Sequence, residues 1–173
     1  TVVPDTDNKD IELNYYVFDD LDGVEWAREP ICKLAEMGVL RGKEYRLFYP
    51  NDNITREEFV KMLTVAYKLN IENKTDKFTD VNADDWFMPY VAAALENGIV
   101  NGVSDDMFGT GQNITRQDLA VMAYNAACKA GMDFGESTDV QSFNDDDNIS
   151  DYAKTAVYAL KSQDIVNGID GKN

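Results

Sequence analysis

The chain has 173 residues, 44% of them hydrophobic, and sets 32 Asp and Glu against 16 Lys and Arg for a formal charge of −16. That length supports a compact core, while that charge excludes a general attraction to nucleic acid or anionic lipid. The absence of histidine excludes Ser-His and Cys-His catalysis and every His-liganded metal site. No apolar run approaches the roughly 18 residues that span a bilayer, and Thr1-Val2-Val3-Pro4 lacks the regions of a signal peptide. A soluble chain is expected, without membrane insertion and with any export signal lying elsewhere.

Residues 1–17 read as a lead-in segment containing Asp5, Asp7 and Asp10, with Tyr15, Tyr16 and Val17 placed to pack on the domain. Phe18-Asp19-Asp20 then precedes a helical stretch opened by Glu25-Trp26, in which Ile31, Leu34 and Ala35 share one face and Gly38 offers a left-handed stop. Pro30 sits near the start of this helix, where a missing N–H costs little. The turn-rich Phe48-Tyr49-Pro50-Asn51-Asp52-Asn53 comes next and runs into Ile54-Thr55-Arg56-Glu57. Thr55 with Glu58 predicts a capping box, Ile54 a hydrophobic staple, and Phe59, Met62, Leu63, Ala66 and Tyr67 the apolar face of a second helix.

The same order returns after the polar connector 70–77. Phe78-Thr79-Asp80 answers Phe18-Asp19-Asp20, Gly98-Ile99-Val100-Asn101-Gly102 answers Gly38-Val39-Leu40-Arg41-Gly42, and Ile114-Thr115-Arg116-Gln117 answers Ile54-Thr55-Arg56-Glu57, each 60 positions on. Trp86, Val91, Ala94 and Leu95 predict the second inner helix, with Pro89 near its start. Thr115, with Asp118 in the glutamate's place, caps a helix whose apolar face is Leu119, Met122, Ala123, Ala126 and Ala127. A third unit opens at Phe143-Asn144-Asp145 after the connector 130–142, puts Tyr152 where the tryptophan stood and Val157 and Leu160 inside, and reaches Asn167-Gly168-Ile169-Asp170-Gly171 without a second Thr-Arg motif.

A short repeat cannot bury its apolar face alone and must stack on its neighbours. The boundaries read from the motifs are 1–17 (lead-in), 18–77, 78–142 and 143–173, together one composite domain. Its three inner helices, equal in length and apolar on one side, are expected to face one another around a shared axis. Cys32 and Cys128 occupy non-equivalent places, so they are read as small buried hydrophobes, with a single bridge as the alternative.

Phe-x-Asp-Val/Leu, a Trp-led helix, Gly-Val/Ile-x-x-Gly, an aromatic-led loop and Ile-Thr-Arg-x-Glu, in that order, resemble the S-layer homology (SLH) repeat. The resemblance covers about Phe18 to Asn173, twice in full and once truncated. It implies a mainly α fold, a pseudo-threefold spindle with a central three-helix bundle and helical prongs. It also implies an extracellular place in the cell wall or S-layer of a bacterium. The implied partner is a secondary cell-wall polysaccharide, often pyruvylated, held in grooves between repeats, with no catalysis and no cofactor.

Arg56 and Arg116 match the motif arginine of that family. Glu57 and Gln117 replace its alanine, and Asp118 its glutamate. A pyruvyl ketal carries a carboxylate that an arginine can meet with two parallel N–H donors. Trp26 and Trp86 would offer flat faces to a sugar, Asp20, Asp80 and Asp145 would accept its hydroxyls, and Gly42 and Gly102 would admit backbone amides close to it. Each has a plainer reading: the tryptophans as core anchors, the aspartates as caps of the following turn, the arginines as salt bridges between repeats, the glycines as turn formers. Asp84-Asp85 and Asp145-Asp146-Asp147 read as solvated carboxylates rather than calcium ligands, since no D-x-D-x-D-G run continues from them. The alternative to an anchor is a protein-interaction module, in which self-association would complete the third repeat. A two-carboxylate hydrolase is the weakest reading, because no insert interrupts the period.

Overall fold

A computed structural model describes residues 18–75, 77–135 and 141–168. The lead-in 1–17, with Tyr15, Tyr16 and Val17, and the end of the third repeat, 169–173, lie outside these residues. Among the described residues the fold is mainly α, with five helices and no strand. They are α1 (Glu25–Glu36), α2 (Arg56–Ala66), α3 (Met88–Glu96), α4 (Arg116–Lys129) and α5 (Asp151–Ser162), the last preceded by a 3-10 turn at Asp146–Asn148. The chain divides into two compact units, Thr1–Asp52 and Asn53–Asn173.

In the first unit α1 buries Ile31 and Ala35, and Phe18, Leu21, Val39 and Leu40 are buried with them. The ring of Phe18 meets that of Phe48 at 5.3 Å, so the two ends of the half-repeat close on each other. Pro30 lies in the interior of α1 rather than at its start. The ring removes the N–H that would reach back four residues to the Trp26 carbonyl.

In the second unit the helices pair across repeat boundaries. The outer helix α2 packs on α3 of the next repeat, α4 packs on α5, and α2 also touches α4. Val60 and Leu63 of α2 join Phe78, Phe87, Val91, Ile99 and Phe108 in one apolar cluster. Ala120 and Ala127 of α4 join Phe143, Ala153, Val157 and Leu160 in another. Among the described residues α3 and α5 do not pack on each other, so inner helices meeting one another are not what holds this unit. Each inner helix is covered instead by the outer helix that precedes it.

Local chemistry sets the helix ends. Thr55 closes the expected capping box: its hydroxyl accepts the Glu58 N–H, and the Glu58 carboxylate accepts the Thr55 N–H at 2.8 Å. Thr115 accepts from the Asp118 N–H at 3.2 Å, but its hydroxyl donates to the Asp118 carboxylate at 2.7 Å, so the shorter aspartate does not complete the reciprocal bond. The second inner helix starts at Met88, past Trp86. Pro89 has no N–H to return to Asp85, and the chain turns there through Met88 N–H to the Asp85 carbonyl at 3.1 Å. Thr55→Ala is expected to lower unfolding stability by about 1 kcal/mol, with Thr115→Ala costing less, measured by urea titration.

Candidate functional site

The motif aspartates are clasps. Asp80 accepts the backbone N–H groups of Phe108 at 2.7 Å, Gly109 at 2.8 Å and Thr110 at 2.8 Å. Asp20 accepts those of Phe48 at 2.8 Å and Tyr49 at 2.6 Å. Neither caps the turn after it. Each instead ties down the aromatic-led loop 28 to 30 residues further on. Burial pushes both carboxyls up, but the loop N–H groups outweigh it and hold both below the ordinary aspartate value. Asp145 is exposed, and the neighbouring Asp146 takes the local partners, the Lys154 ammonium at 2.8 Å and the Tyr158 hydroxyl. Among the described residues no group of acidic and cysteine side chains gathers as a metal site.

The two motif arginines differ in setting. Arg56 is only 4% exposed. Its Nε donates to the Phe108 carbonyl at 3.0 Å, one terminal nitrogen to the Asn101 carbonyl at 3.4 Å, and the other pairs with Asp118 at 3.3 Å. Its guanidinium also lies over the Phe108 ring, 5.3 Å from the centroid. Every edge of this cation is therefore used within the protein, as a salt bridge and clasp between repeats. Arg116, its counterpart, is exposed and donates to the Asn167 carbonyl at 2.7 Å. Asn101 and Asn167 hold the same place in successive repeats, so both arginines reach forward to the same carbonyl.

Asp118 collects contacts from three repeats. It pairs with Arg56, binds Thr115 of its own cap, and accepts the Tyr152 hydroxyl at 2.8 Å. Burial of the hydroxyl end, the bond to Asp118 and that carboxylate's charge push Tyr152 up to about 12, with Arg56 pulling the other way. Glu57, 7% exposed, accepts the Gly111 N–H at 3.2 Å with both oxygens. The sequence showed Glu57 only as a departure from the motif, and nothing local marks its burial.

The aromatics at the head of the inner helices face outward. Trp26 is 83% exposed, Trp86 55% and Tyr152 59%, so none is a core anchor. Trp86 is held from below by Phe87, edge-on at 5.4 Å, and by Tyr90 at 6.5 Å. The Lys61 ammonium stands 5.6 Å from its centroid. Gly42 and Gly102 make room for the protein itself. A Cβ on Gly102 would meet the carbonyls of Met107 and Ser104 and stand 2.9 Å from the Phe78 ring. One on Gly42 would meet the Leu47 carbonyl and, at 2.8 Å, the Phe18 ring. Both cysteines are free, and Cys128 is exposed rather than buried. An open depression lined by Asn73, Lys74, Thr75, Ala92, Leu95 and Glu96 contains none of the glycan-binding candidates read from the sequence.

Comparison with known proteins bears on this arrangement. The family model described as S-layer homology domain matches residues 17–60, 77–120 and 142–173. An endoglucanase of Bacillus sp. (strain KSM-635) is 30% identical over 155 residues, which is 90% of this chain and 16% of that protein. Exoglucanase XynX of Acetivibrio thermocellus is 31% identical over 83% of this chain and 13% of its own length. The surface-layer 125 kDa protein of Lysinibacillus sphaericus is 29% identical over 83% of this chain and 12% of its own. The chain thus spans about a sixth or less of these relatives.

Two outcomes follow from the geometry. Arg56→Gln is expected to cost about 3 kcal/mol of unfolding stability by stranding Asp118 and the loop carbonyls, whereas Arg116→Gln costs under about 1 kcal/mol, both read by urea denaturation. Because Asp20 and Asp80 titrate below their unfolded value of about 3.9, their contribution is intact at neutral pH and is lost as pH falls through the lowered folded values. Urea midpoints measured from pH 7 to pH 3 should therefore fall at the acid end, and Asp80→Asn should be about 2 kcal/mol weaker at pH 7 with a flatter acid limb.

Proposed function

The chain belongs to the S-layer homology domain family, whose members are cell-surface proteins of bacteria, and on that premise we propose that it anchors a larger protein to the wall by binding an acidic secondary cell-wall polysaccharide. The family's role is anchoring rather than catalysis. The relatives named as glucanases share with this chain only a small part of their length, and their enzymatic names belong to those proteins. The supporting observation is the threefold recurrence of an exposed aromatic, Trp26, Trp86 and Tyr152, at one position of the repeat. An indole or phenol ring left in water in three equivalent places is a repeated cost, and a sugar ring is the ligand whose C–H face such a ring covers.

Charge sharpens the reading. A neutral glycan needs only the platforms and hydroxyl partners, whereas an exposed arginine favours a carboxylate-bearing sugar by about 1.5 to 3 kcal/mol per charge-assisted bond. Arg116 supplies such a donor, since it is exposed and makes one bond to a carbonyl. The net charge of −16 slows the approach of a polyanion, but its field fades over about 8 Å at physiological salt.

Isothermal titration with isolated wall polysaccharide, with and without its ketal-linked pyruvate, tests the proposal. Binding that weakens at least tenfold on pyruvate removal, and again with Trp86→Ala or Arg116→Ala, is the expected result. Equal affinity for both polysaccharides would reject the acidic ligand, and no binding of either would reject the anchor.

A further inference from the structure

Asparagine followed directly by glycine occurs at Asn97-Gly98, Asn101-Gly102 and Asn167-Gly168. Such a pair can react with itself. The glycine nitrogen, once deprotonated, attacks the carbonyl carbon of the asparagine side chain, the bond to the side-chain nitrogen breaks, and ammonia leaves behind a five-membered succinimide. Water then opens the ring at either carbonyl. One opening gives aspartate; the other gives isoaspartate, in which the backbone runs through the side-chain carbon and the former main-chain carbonyl has become a free carboxylate. Glycine favours the reaction because it has no Cβ to obstruct the approach and the fewest limits on backbone rotation. By sequence the three pairs are alike, and the fold makes them different.

Asn97-Gly98 is locked by the end of α3. The Asn97 amide donates to the Ala93 carbonyl at 2.8 Å, and the nitrogen that would attack, that of Gly98, donates to the Leu95 carbonyl at 3.0 Å. Asn101-Gly102 is locked by its walls. Attack requires the asparagine to rotate about its Cα–C bond, which swings its carbonyl. That of Asn101 is held at 3.4 Å by the buried Arg56, and a Cβ on Gly102 would stand 2.3 Å from the carbonyls of both Met107 and Ser104. Asn167 is exposed, and its amide makes one long bond, 3.3 Å, to the Asp164 carbonyl. Among the described residues the Gly168 N–H has no acceptor. The Asn167 carbonyl accepts from Arg116 at 2.7 Å, and that arginine, being exposed, can follow the carbonyl as it turns.

We propose that Asn167 is a self-modification site, converted to isoaspartate with Arg116 as promoter, and, resting on the anchoring role, that the product withdraws Arg116 from ligand binding. Deprotonating the Gly168 amide puts negative charge largely on the Asn167 carbonyl oxygen, which is the atom the guanidinium holds. In the succinimide the same donor polarises the same carbonyl and directs water to it, which selects isoaspartate. The new carboxylate retains that oxygen, so a bond to a neutral carbonyl becomes an ion pair that both arms of the guanidinium can meet. A glycan carboxylate must then compete with a partner on the chain itself. The reaction consumes water, releases ammonia and needs no other reactant, so it accumulates with the age of the protein.

The test holds the full chain at neutral pH for days, maps peptides by mass for loss of each amide, and identifies isoaspartate by isoaspartyl methyltransferase labelling. Asn167 should convert at least about tenfold faster than Asn97 or Asn101, and mainly to isoaspartate. Arg116→Gln should slow Asn167 about tenfold and shift its product toward aspartate, with Arg116→Lys restoring part of the rate. Equal rates at the three pairs, or a rate and product ratio at Asn167 that Arg116→Gln leaves unchanged or raises, would overturn the assignment. In isothermal titration with wall polysaccharide, aged chain should bind as weakly as Arg116→Ala, while aged Asn167→Gln keeps the affinity of fresh protein. Aged wild-type chain that binds like fresh chain would overturn the withdrawal of Arg116 and leave the anchor standing. Fresh chain that binds no polysaccharide would overturn the anchor and the withdrawal together, with conversion at Asn167 still read by mass.

Discussion

A guanidinium with almost no contact with water sits where two repeats meet. Burying a charge costs several kcal/mol unless its donors are filled, so the surroundings of Arg56 are tightly specified. Two backbone carbonyls, one carboxylate and one aromatic face fill them. Since Arg56 opens α2 while those partners belong to the next repeat, the arrangement fixes where the helix may lie. Gly109 is part of the same constraint. Its φ of +90° suits glycine, and a Cβ there would stand 3.2 Å from the Arg56 side chain and 2.9 Å from Val103. Next to Arg56, the chain Gln112-Asn113-Ile114 pairs with Ile54-Thr55-Arg56 through two backbone bonds of 3.0 Å, joining one Ile-Thr-Arg motif to the other.

Comparing equivalent positions shows how one skeleton is adapted. Residue 49 and residue 109 both take the left-handed conformation under an aspartate clasp, with φ of 61° and 90°, yet the first is tyrosine and the second glycine. The loop of Tyr49 tolerates a side chain because no arginine of its own unit leans on it, whereas Gly109 must leave space for one. Behind the clasps, Asp19 meets Arg46 at 2.5 Å in the first repeat. In the second, Thr79 uses its backbone N–H and hydroxyl on the Asp106 carbonyl at 2.8 and 3.1 Å. The ionic and the neutral version close the same gap.

What the sequence made legible was whatever is encoded within a few residues. Five helices, the Thr55–Glu58 box and the glycine stops follow from periodicity and capping, and the structure has them. The late start of α3 comes from Pro89, which acts on the turn before it through a missing N–H that apolar periodicity does not register. The aspartate clasps span about half a repeat, and nothing near Asp20 or Asp80 announces a partner that far away. Arg56 gave half a signal: a cation in the first turn opposes the helix dipole, which implied compensation. Its compensation lies in Phe108, Asn101 and Asp118, none of them adjacent in sequence. The outward stance of Trp26 and Trp86 has no local signature, because a tryptophan at a helix start fits both a core and a platform. Burial of Glu57 had no local mark at all.

In the second unit, the outer helix of one repeat and the inner helix of the next share a core, so the structural joint is displaced half a period from the motif boundary. The connector 70–77, which looks like a natural seam between modules, bridges two helices that are packed on each other. A cut there, or a graft of one repeat chosen by its motif, would split an apolar cluster and expose Val60 and Leu63 on one piece and Phe78 and Val91 on the other. Excising or duplicating a whole period leaves the joint intact whatever the phase, because each outer helix then meets an inner helix of the same design. Gene-level expansion and contraction of such arrays in steps of one period is therefore structurally cheap, and fractional steps are not.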